Sequence, residues 1–318
     1  MKAIFAFVLI CLSGVVSAQP WPAKPVRIIV AFPAGGPTDG VGRLLAERLS
    51  KIHGQQFFVE NRTGAGGNIG AEAVAKSPPD GHTLFLSSPG PIVTSPFLYK
   101  NLGFDPRRDF TPIIAVADMP ILFAANSKVP FSTFAEFLDY ARRNPGKLSY
   151  GSSGNGSIGH LSAELFKHLA NVDLVHVPYR GSPPALQDLV GGQVDLTIDN
   201  LAGALRLVQA GQIRAIAITT SKRWPSLENI PTVAEAGFAG YQASSWAHLF
   251  GPARLPADIV ASLNRSVHEY VVSEEGTKRL LGLGFLPVGG TPEDLERAVR
   301  ADMARWGPVI EKIGVRLD

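Results

Sequence analysis

The chain has 318 residues, 45% of them hydrophobic and 18% charged, a globular composition with room for two ordinary domains. A formal charge of +3 with no run of Lys or Arg gives a nucleic-acid surface no footing. The 33 Gly and 25 Pro punctuate periodic segments, which excludes a low-complexity chain.

The N-terminus reads Met1-Lys2, then AIFAFVLICLSGVV, then Ser17-Ala18-Gln19. A short positive start, an apolar run too short to span a bilayer comfortably, and small residues at Val16 and Ala18 predict a signal peptide over residues 1–18, cut after Ala18. Cys11 falls inside it, so the mature chain is expected to carry no cysteine. That removes disulfides, thiolate metal sites and Cys nucleophiles together.

Next comes a short apolar strand, Val26–Val30, then FPAGGPTDG and a helix with Thr38 or Asp39 as its cap. Val41, Leu44, Leu45, Leu49 and Ile52 recur on one face of that helix. Strands follow at 56–60 and 82–86, with TGAGGNIG and the helical AEAVAK between them. Strand, glycine loop and helix in alternation predict a parallel α/β sheet.

After Pro130 the pattern restarts. FSTFAEFLDYARRN is a helix capped by Ser132, and strands are expected at 148–150, 174–177, 194–198 and 213–219. GSSGNGSIGH opens one helix, while PPALQDLVGG and LAGALRLVQAG form two more. The C-terminal part holds a strand near Trp246–Phe250, a helix from Pro256 and a long helix from Thr291 with Pro292 at its first position. Two tandem α/β units without a long linker imply two lobes and a cleft, with crossings near 113–125 and 243–251. One open sheet of about ten strands is the less favoured arrangement.

Four chemistries compete for the glycine- and serine-rich loops. A nucleophile elbow needs Gly on both sides of a Ser at a spacing of two, and Ser152, Ser153 and Ser157 all lack it. His160 and His176 are nevertheless available to a His–Ser pair. Gly64 to Gly70 spaces its glycines too widely for a dinucleotide fingerprint, and no phosphate-loop Lys motif occurs. His160 and His168, eight apart on one helix, do not share a metal. Neither a metal nor a cofactor is expected.

Anion recognition remains. FPAGGPTD, SSPGP and GSSGNGS each present N–H groups and hydroxyls where a strand ends or a helix begins. One helix end favours an anion by ~0.3–1 kcal/mol, up to ~2 when partly buried, and a micromolar ligand needs roughly 8 kcal/mol. Several loops must therefore converge.

WPAKPVRIIVAFPAGGPTD, VENRTGAGGNIGAEAVAKSPPDGHTL, LSYGSSGNGSIGHLSAELF, HVPYRGSPPALQDLVGGQVDLTIDN, PTVAEAGFAGYQASSW and ADMARWGPVIEKIGV occur in that order. With them the chain resembles the periplasmic substrate-binding proteins of tripartite tricarboxylate transporters, the Bug/TctC-like receptors. The resemblance spans nearly the whole mature chain. It implies an α/β, two-lobed Venus-flytrap fold of the type II periplasmic binding class, each lobe a mixed sheet flanked by helices. Residues 19–124 with 245–318 would form the first lobe and 125–244 the second. It also implies a non-enzymatic periplasmic receptor for a small mono- or dicarboxylate, held by amides, hydroxyls and ordered water and delivered to membrane permease subunits.

The ligand-binding residues so implied are Ala34, Gly35, Gly36, Thr38, Asp39, Ser88 and Pro89 in the first lobe. The second supplies Ser152, Ser153, Asn155, Gly156, Ser157, His160, Tyr179, Arg180 and Gly181, with Asp199 and Asn200 closing the pocket. Asp199 has the wrong charge to touch a carboxylate directly; it would read an amine or hydroxyl, or hold a loop. A serine/histidine hydrolase in the same cleft and a sensory receptor for a membrane kinase are the alternatives.

Overall fold

The computed structural model describes residues 21–220 and 222–317; the segment read as a signal peptide, with Cys11 and the cleavage point, lies outside them. The first elements are β1 (Val26–Val30), α1 (Pro37–His53), β2 (Phe57–Asn61), α2 (Asn68–Ala75) and β3 (Thr83–Ser87). A π turn over Gly90–Thr94 runs into the single-turn α3 (Ser95–Leu98), followed by the long β4 (Phe110–Asn126). Then come α4 (Phe134–Arg143), β5 (Ser149–Ser152), α5 (Ile158–Ala170), β6 (Val175–Pro178), α6 (Ser182–Gly191), β7 (Leu196–Asn200), α7 (Leu201–Gln209) and β8 (Ile213–Ile218). The chain ends with β9 (Ser244–Pro252), α8 (Ala257–Val271), α9 (Glu274–Gly282), β10 (Leu286–Gly289) and α10 (Pro292–Ile313).

Two mixed sheets make two lobes. In the first, β1 lies parallel to β2 and β3, while β9 joins β3 to β4 in antiparallel pairing and β10 pairs β4. In the second, β5 runs parallel to β6 and β7, and β4 is antiparallel to β7 and β8. The single strand β4 serves both. Phe110–Pro120 pairs with β9, and from Ile121 onward it pairs with β7 and β8. Hydrogen bonding thus continues unbroken through the ten strands of the described residues. A proline suits the changeover, since Pro120 has no N–H to lose when the partner strand changes.

The return path passes the same point. Thr219 donates its N–H to the Ile121 carbonyl (3.0 Å) and accepts the Ala243 N–H (3.3 Å). Its hydroxyl accepts the Ile121 N–H (3.2 Å) and donates to the Ala243 carbonyl. One buried threonine therefore ties both crossings together.

Apolar spacing explains the packing. On α1, Val41, Leu44, Leu45 and Leu49 are buried against the first sheet, whereas Ile52 is 42% exposed, one position beyond the reach of that face. In the second lobe Phe123, Phe134, Phe137 and Phe166 form a cluster with ring centroids 5.3–6.5 Å apart. Such pairs contribute ~0.5–1.5 kcal/mol each beyond their area. Helix α10 packs on β4, the π turn and α3 of the first lobe and also on α5 of the second.

Two predicted caps move. Pro37 occupies the start of α1, so its N-cap is Gly36, and Thr38 and Asp39 fall inside the first turn. Helix α4 is capped by Thr133 instead of Ser132. Glu136 lies three residues after Thr133, and its carboxylate accepts the N–H groups of both Thr133 and Ser132, closing a capping box.

Candidate functional site

Four long helices begin at one narrow cavity between the lobes. The start of α1 contributes Gly36, Pro37 and Thr38, and α5 contributes Ser157, Ile158 and Gly159. Gly181 and Ser182 come from α6, and Asn200 from α7. The end of β3 and the π turn add Ser88, Pro89 and Gly90, while Ser153, Ser245, Phe32 and Pro33 complete the lining. The enclosed free volume is about 30 Å³.

Among the described residues, no charged side chain lines this cavity. Its polarity comes from the backbone and from hydroxyls. The N-termini of α1, α6 and α7 have no side-chain cap, so their first-turn N–H groups are not satisfied from that source. At α5 the Ser157 hydroxyl accepts the His160 N–H (3.2 Å), which leaves its own proton free to donate. Four partly buried helix ends at up to ~2 kcal/mol each reach the order of the ~8 kcal/mol required by a micromolar anion complex.

Of the residues anticipated from sequence, Gly36, Thr38, Ser88, Pro89, Ser153, Ser157, Gly181 and Asn200 line the cavity. Ala34 and Gly35 do not; both are exposed on the outer side of the loop. Asp39 is turned into the protein, where its carboxylate accepts the Gly35 N–H (2.9 Å), Arg43 (2.8 Å) and Asn61 (3.0 Å). Burial works to raise its pKa, but Arg43, Gly35 and Asn61 together hold it below the ordinary value. It braces the loop.

In the second lobe Ser152 is fully buried, with its hydroxyl 2.8 Å from His176 Nε2. His160 is buried as well. Its Nδ1 accepts the Gly156 N–H (3.1 Å), and its ring stacks on His176 with centroids 4.1 Å apart. Burial, helped by the charge of Lys167, pushes His160 down to about 4. His176 is pushed to about 3, by burial first and then by His160. Both rings are therefore neutral and structural, behind the cavity wall.

Tyr179 donates its hydroxyl to Asp188 (2.7 Å) and packs its ring over Gly151; Arg180 and Asn155 are exposed. Gly156 lies in the contact between lobes, and Asp199 is buried directly behind Asn200. Pro37, Ser182 and Ser245 were not anticipated. Ser182 has a local signal, because it follows Gly181 at a strand–helix junction like those already singled out. Ser245 has none, since it reaches the cavity only through the pairing of β9 with β4.

The two rims of the cavity are contacts between lobes. At one, Pro33 lies against Gly181, and Pro183 and Gly203 face Gly36 and Pro37. At the other, the Thr94 hydroxyl donates to the Gly156 carbonyl (3.0 Å), and Gly66 faces the carbonyl of Asn155.

Known proteins share this fold. Residues 41–315 match the family model of the tripartite tricarboxylate transporter family receptor. The chain is 34% identical to the protein BugT of Bordetella pertussis, over 95% of this chain and 93% of that one. Its fold matches a Rhodopseudomonas palustris structure, "Rpa4515 with adipate", at 45% identity and a TM-score of 0.91, covering 93% of this chain and 99% of that one. MatC of Rhodopseudomonas palustris, solved with bound malate, matches at 36% identity and a TM-score of 0.86, covering 91% and 100%. Two of these relatives are structures with a carboxylate present, adipate in one and malate in the other. The chain belongs to the tripartite tricarboxylate transporter receptor family.

Proposed function

We propose that this chain is a periplasmic receptor that closes its two lobes on a small dicarboxylate and presents the closed form to the membrane subunits of a tripartite transporter. The observation that carries this reading is an uncharged cavity into which four helix N-termini point. Amides and hydroxyls neutralise a carboxylate there without a fixed counter-ion. The adipate and malate in two solved relatives agree with that chemistry. Ligand stabilises closure by the difference between its affinities for the closed and open forms.

Among the described residues a serine hydroxyl meets a histidine ring at Ser152 with His176, where Ser152 is sealed from solvent and off the cavity, and at Ser266 with His53, between α8 and α1 and away from the cavity lining. Ser153 and Ser157, which line the cavity, have no histidine ring among their hydrogen-bond partners. A receptor role fits this placement better.

The test is a thermal-shift screen of ligand-stripped protein against linear mono- and dicarboxylates from malonate to suberate, with malate included. At least one dicarboxylate should raise the melting temperature at millimolar concentration, as linkage requires of a ligand that binds only the folded state. If no member of the series shifts it, the reading fails.

A further inference from the structure

Asp199 is an acid that the carboxylate reading leaves unused. It is the penultimate residue of β7, with only 3% of its surface exposed, and the last residue of the strand, Asn200, lines the cavity. Oδ1 is occupied by the Asn200 N–H (2.8 Å) and Nδ2 (3.2 Å). Oδ2 is sealed from water and has no hydrogen-bond partner. The nearest polar groups are the hydroxyls of Ser182 and Ser153, which bear on the carboxyl without meeting Oδ2 in a hydrogen-bonded geometry. Both serines line the cavity.

The other surroundings are apolar or backbone. Strand β4 places Leu122 opposite Asp199, and α5 lays Gly159 so close that an added Cβ would sit 3.3 Å from the Asp199 Cα. No charged side chain from β4, α5, α6 or the Ser153 loop acts on the carboxyl; His160 and His176, behind β5, are neutral. An isolated carboxylate is costly to keep ionised in such a place. Burial accordingly pushes its pKa up, against the lowering effects of Ser182, the Asn200 amide and Ser153.

We propose that Asp199 is a positioning residue that takes up a proton when the dicarboxylate binds, setting the direction in which Ser153 and Ser182 donate. A hydroxyl has one proton and two lone pairs. With Asp199 ionised, the two hydroxyls turn to donate backward to it and show only lone pairs to the cavity, which repels a carboxylate. With the proton on Oδ2, Asp199 donates to a serine oxygen, and the hydroxyls turn to donate forward to the ligand. One proton moves from solvent to Oδ2 and no other bond changes. The inference rests on the carboxylate reading and adds to it that binding consumes a proton.

The experiment is isothermal titration of the wild-type protein with the dicarboxylate that gives the largest thermal shift in the malonate-to-suberate and malate series. It is run between pH about 7.5 and about 9.5, where the ligand's own carboxylates are ionised. Two buffers of different ionisation enthalpy count the protons. The expected result is a Kd that rises toward about tenfold per pH unit, the limit for one linked proton, with net proton uptake. In Asp199→Asn, whose amide donates permanently, the slope and the uptake vanish. A ligand that binds with flat Kd and no uptake overturns the role of Asp199 and leaves the carboxylate reading standing. A slope that persists in Asp199→Asn overturns it too. If no carboxylate binds at any pH, both readings fall. The wild-type proton count needs no variant, so misfolding of Asp199→Asn would not rescue the idea.

Discussion

The two rims of the cleft meet by different physics. At the Pro33 rim, proline rings lie against glycines: a Cβ on Gly181 would come within 2.8 Å of Pro33 Cδ, and one on Gly36 within 3.9 Å of Pro183 Cδ. At the Thr94 rim, a hydroxyl reaches the Gly156 carbonyl, and the Gly156 N–H is anchored in turn on the buried His160 ring. The first contact is steric and intolerant of added size. The second is polar and depends on a neutral imidazole. Closure is therefore gated by volume on one side and by hydrogen bonding on the other.

The sharpest way to break this contrast is Gly181→Val. Its φ of +114° already disfavours a side chain, and the new methyls would collide with Pro33 across the cleft. Overpacking of this kind costs about 1–3 kcal/mol, so ligand affinity should fall about 5- to 150-fold. Calorimetry measures the affinity, and scattering of the ligand-free protein checks that the lobes remain folded. An undiminished affinity would show that the Pro33 rim does not need to close.

Acid comes next and acts behind the other rim. His160 stays neutral in the folded protein down to about pH 4, but the unfolded chain protonates it below its ordinary 6.5. The unfolded state then binds more protons, so stability falls as pH drops through that window, by up to about 1.4 kcal/mol per pH unit for each such buried histidine. Below about pH 4 the contribution flattens. Urea unfolding at pH 7 and pH 5.5 measures the change, and His160→Asn, which keeps an acceptor for Gly156, should reduce it.

Ser157→Ala removes both a cap and a cavity hydroxyl. Losing the cap costs about 1 kcal/mol of stability. The thermal shift produced by a dicarboxylate should shrink as well; a full shift would place Ser157 in the helix cap alone. Smallest is Thr94→Val, which deletes the bridge to Gly156 while nearly keeping the shape. A net hydrogen bond of about 0.5–1.5 kcal/mol predicts a loss of roughly 2- to 12-fold in affinity, with little change in the melting temperature of the free protein.

Much of the fold could be read along the chain because its elements declare themselves locally. The strand Val26–Val30 falls where its apolar run places it, and Thr291 caps α10 with Asp294 returning the bond, as Thr-Pro-Glu-Asp suggests. β4 could not be read as one strand. Pro112 and Pro120 interrupt its pattern, and the bulges after Pro112 and Ala115 break its alternation. The site divides along the same line. Gly36, Ser157 and Gly181 stand at helix starts, and a helix start is visible in sequence. Whether a loop residue faces in or out is set by its partners: Asp39 turns away because Arg43 and Asn61 hold it, and Tyr179 because Asp188 accepts its hydroxyl. Those partners are distant or chosen among many, so spacing carries no trace of them.

The continuity of β4 makes it a common ruler for both halves of the binding site. Side chains alternate faces along a strand, so deleting or inserting one residue near Pro120 would turn every later side chain of β4 to the opposite face. Leu122 and Ala124, which pack under α6 and α7, would exchange places with Ile121 and Phe123, which belong to the opposite core. Loops elsewhere can lengthen in descendants of this chain without moving both cores, whereas a length change in this span shifts both unless a bulge absorbs it. Differences in ligand preference are therefore expected in the loops and side chains set around that strand.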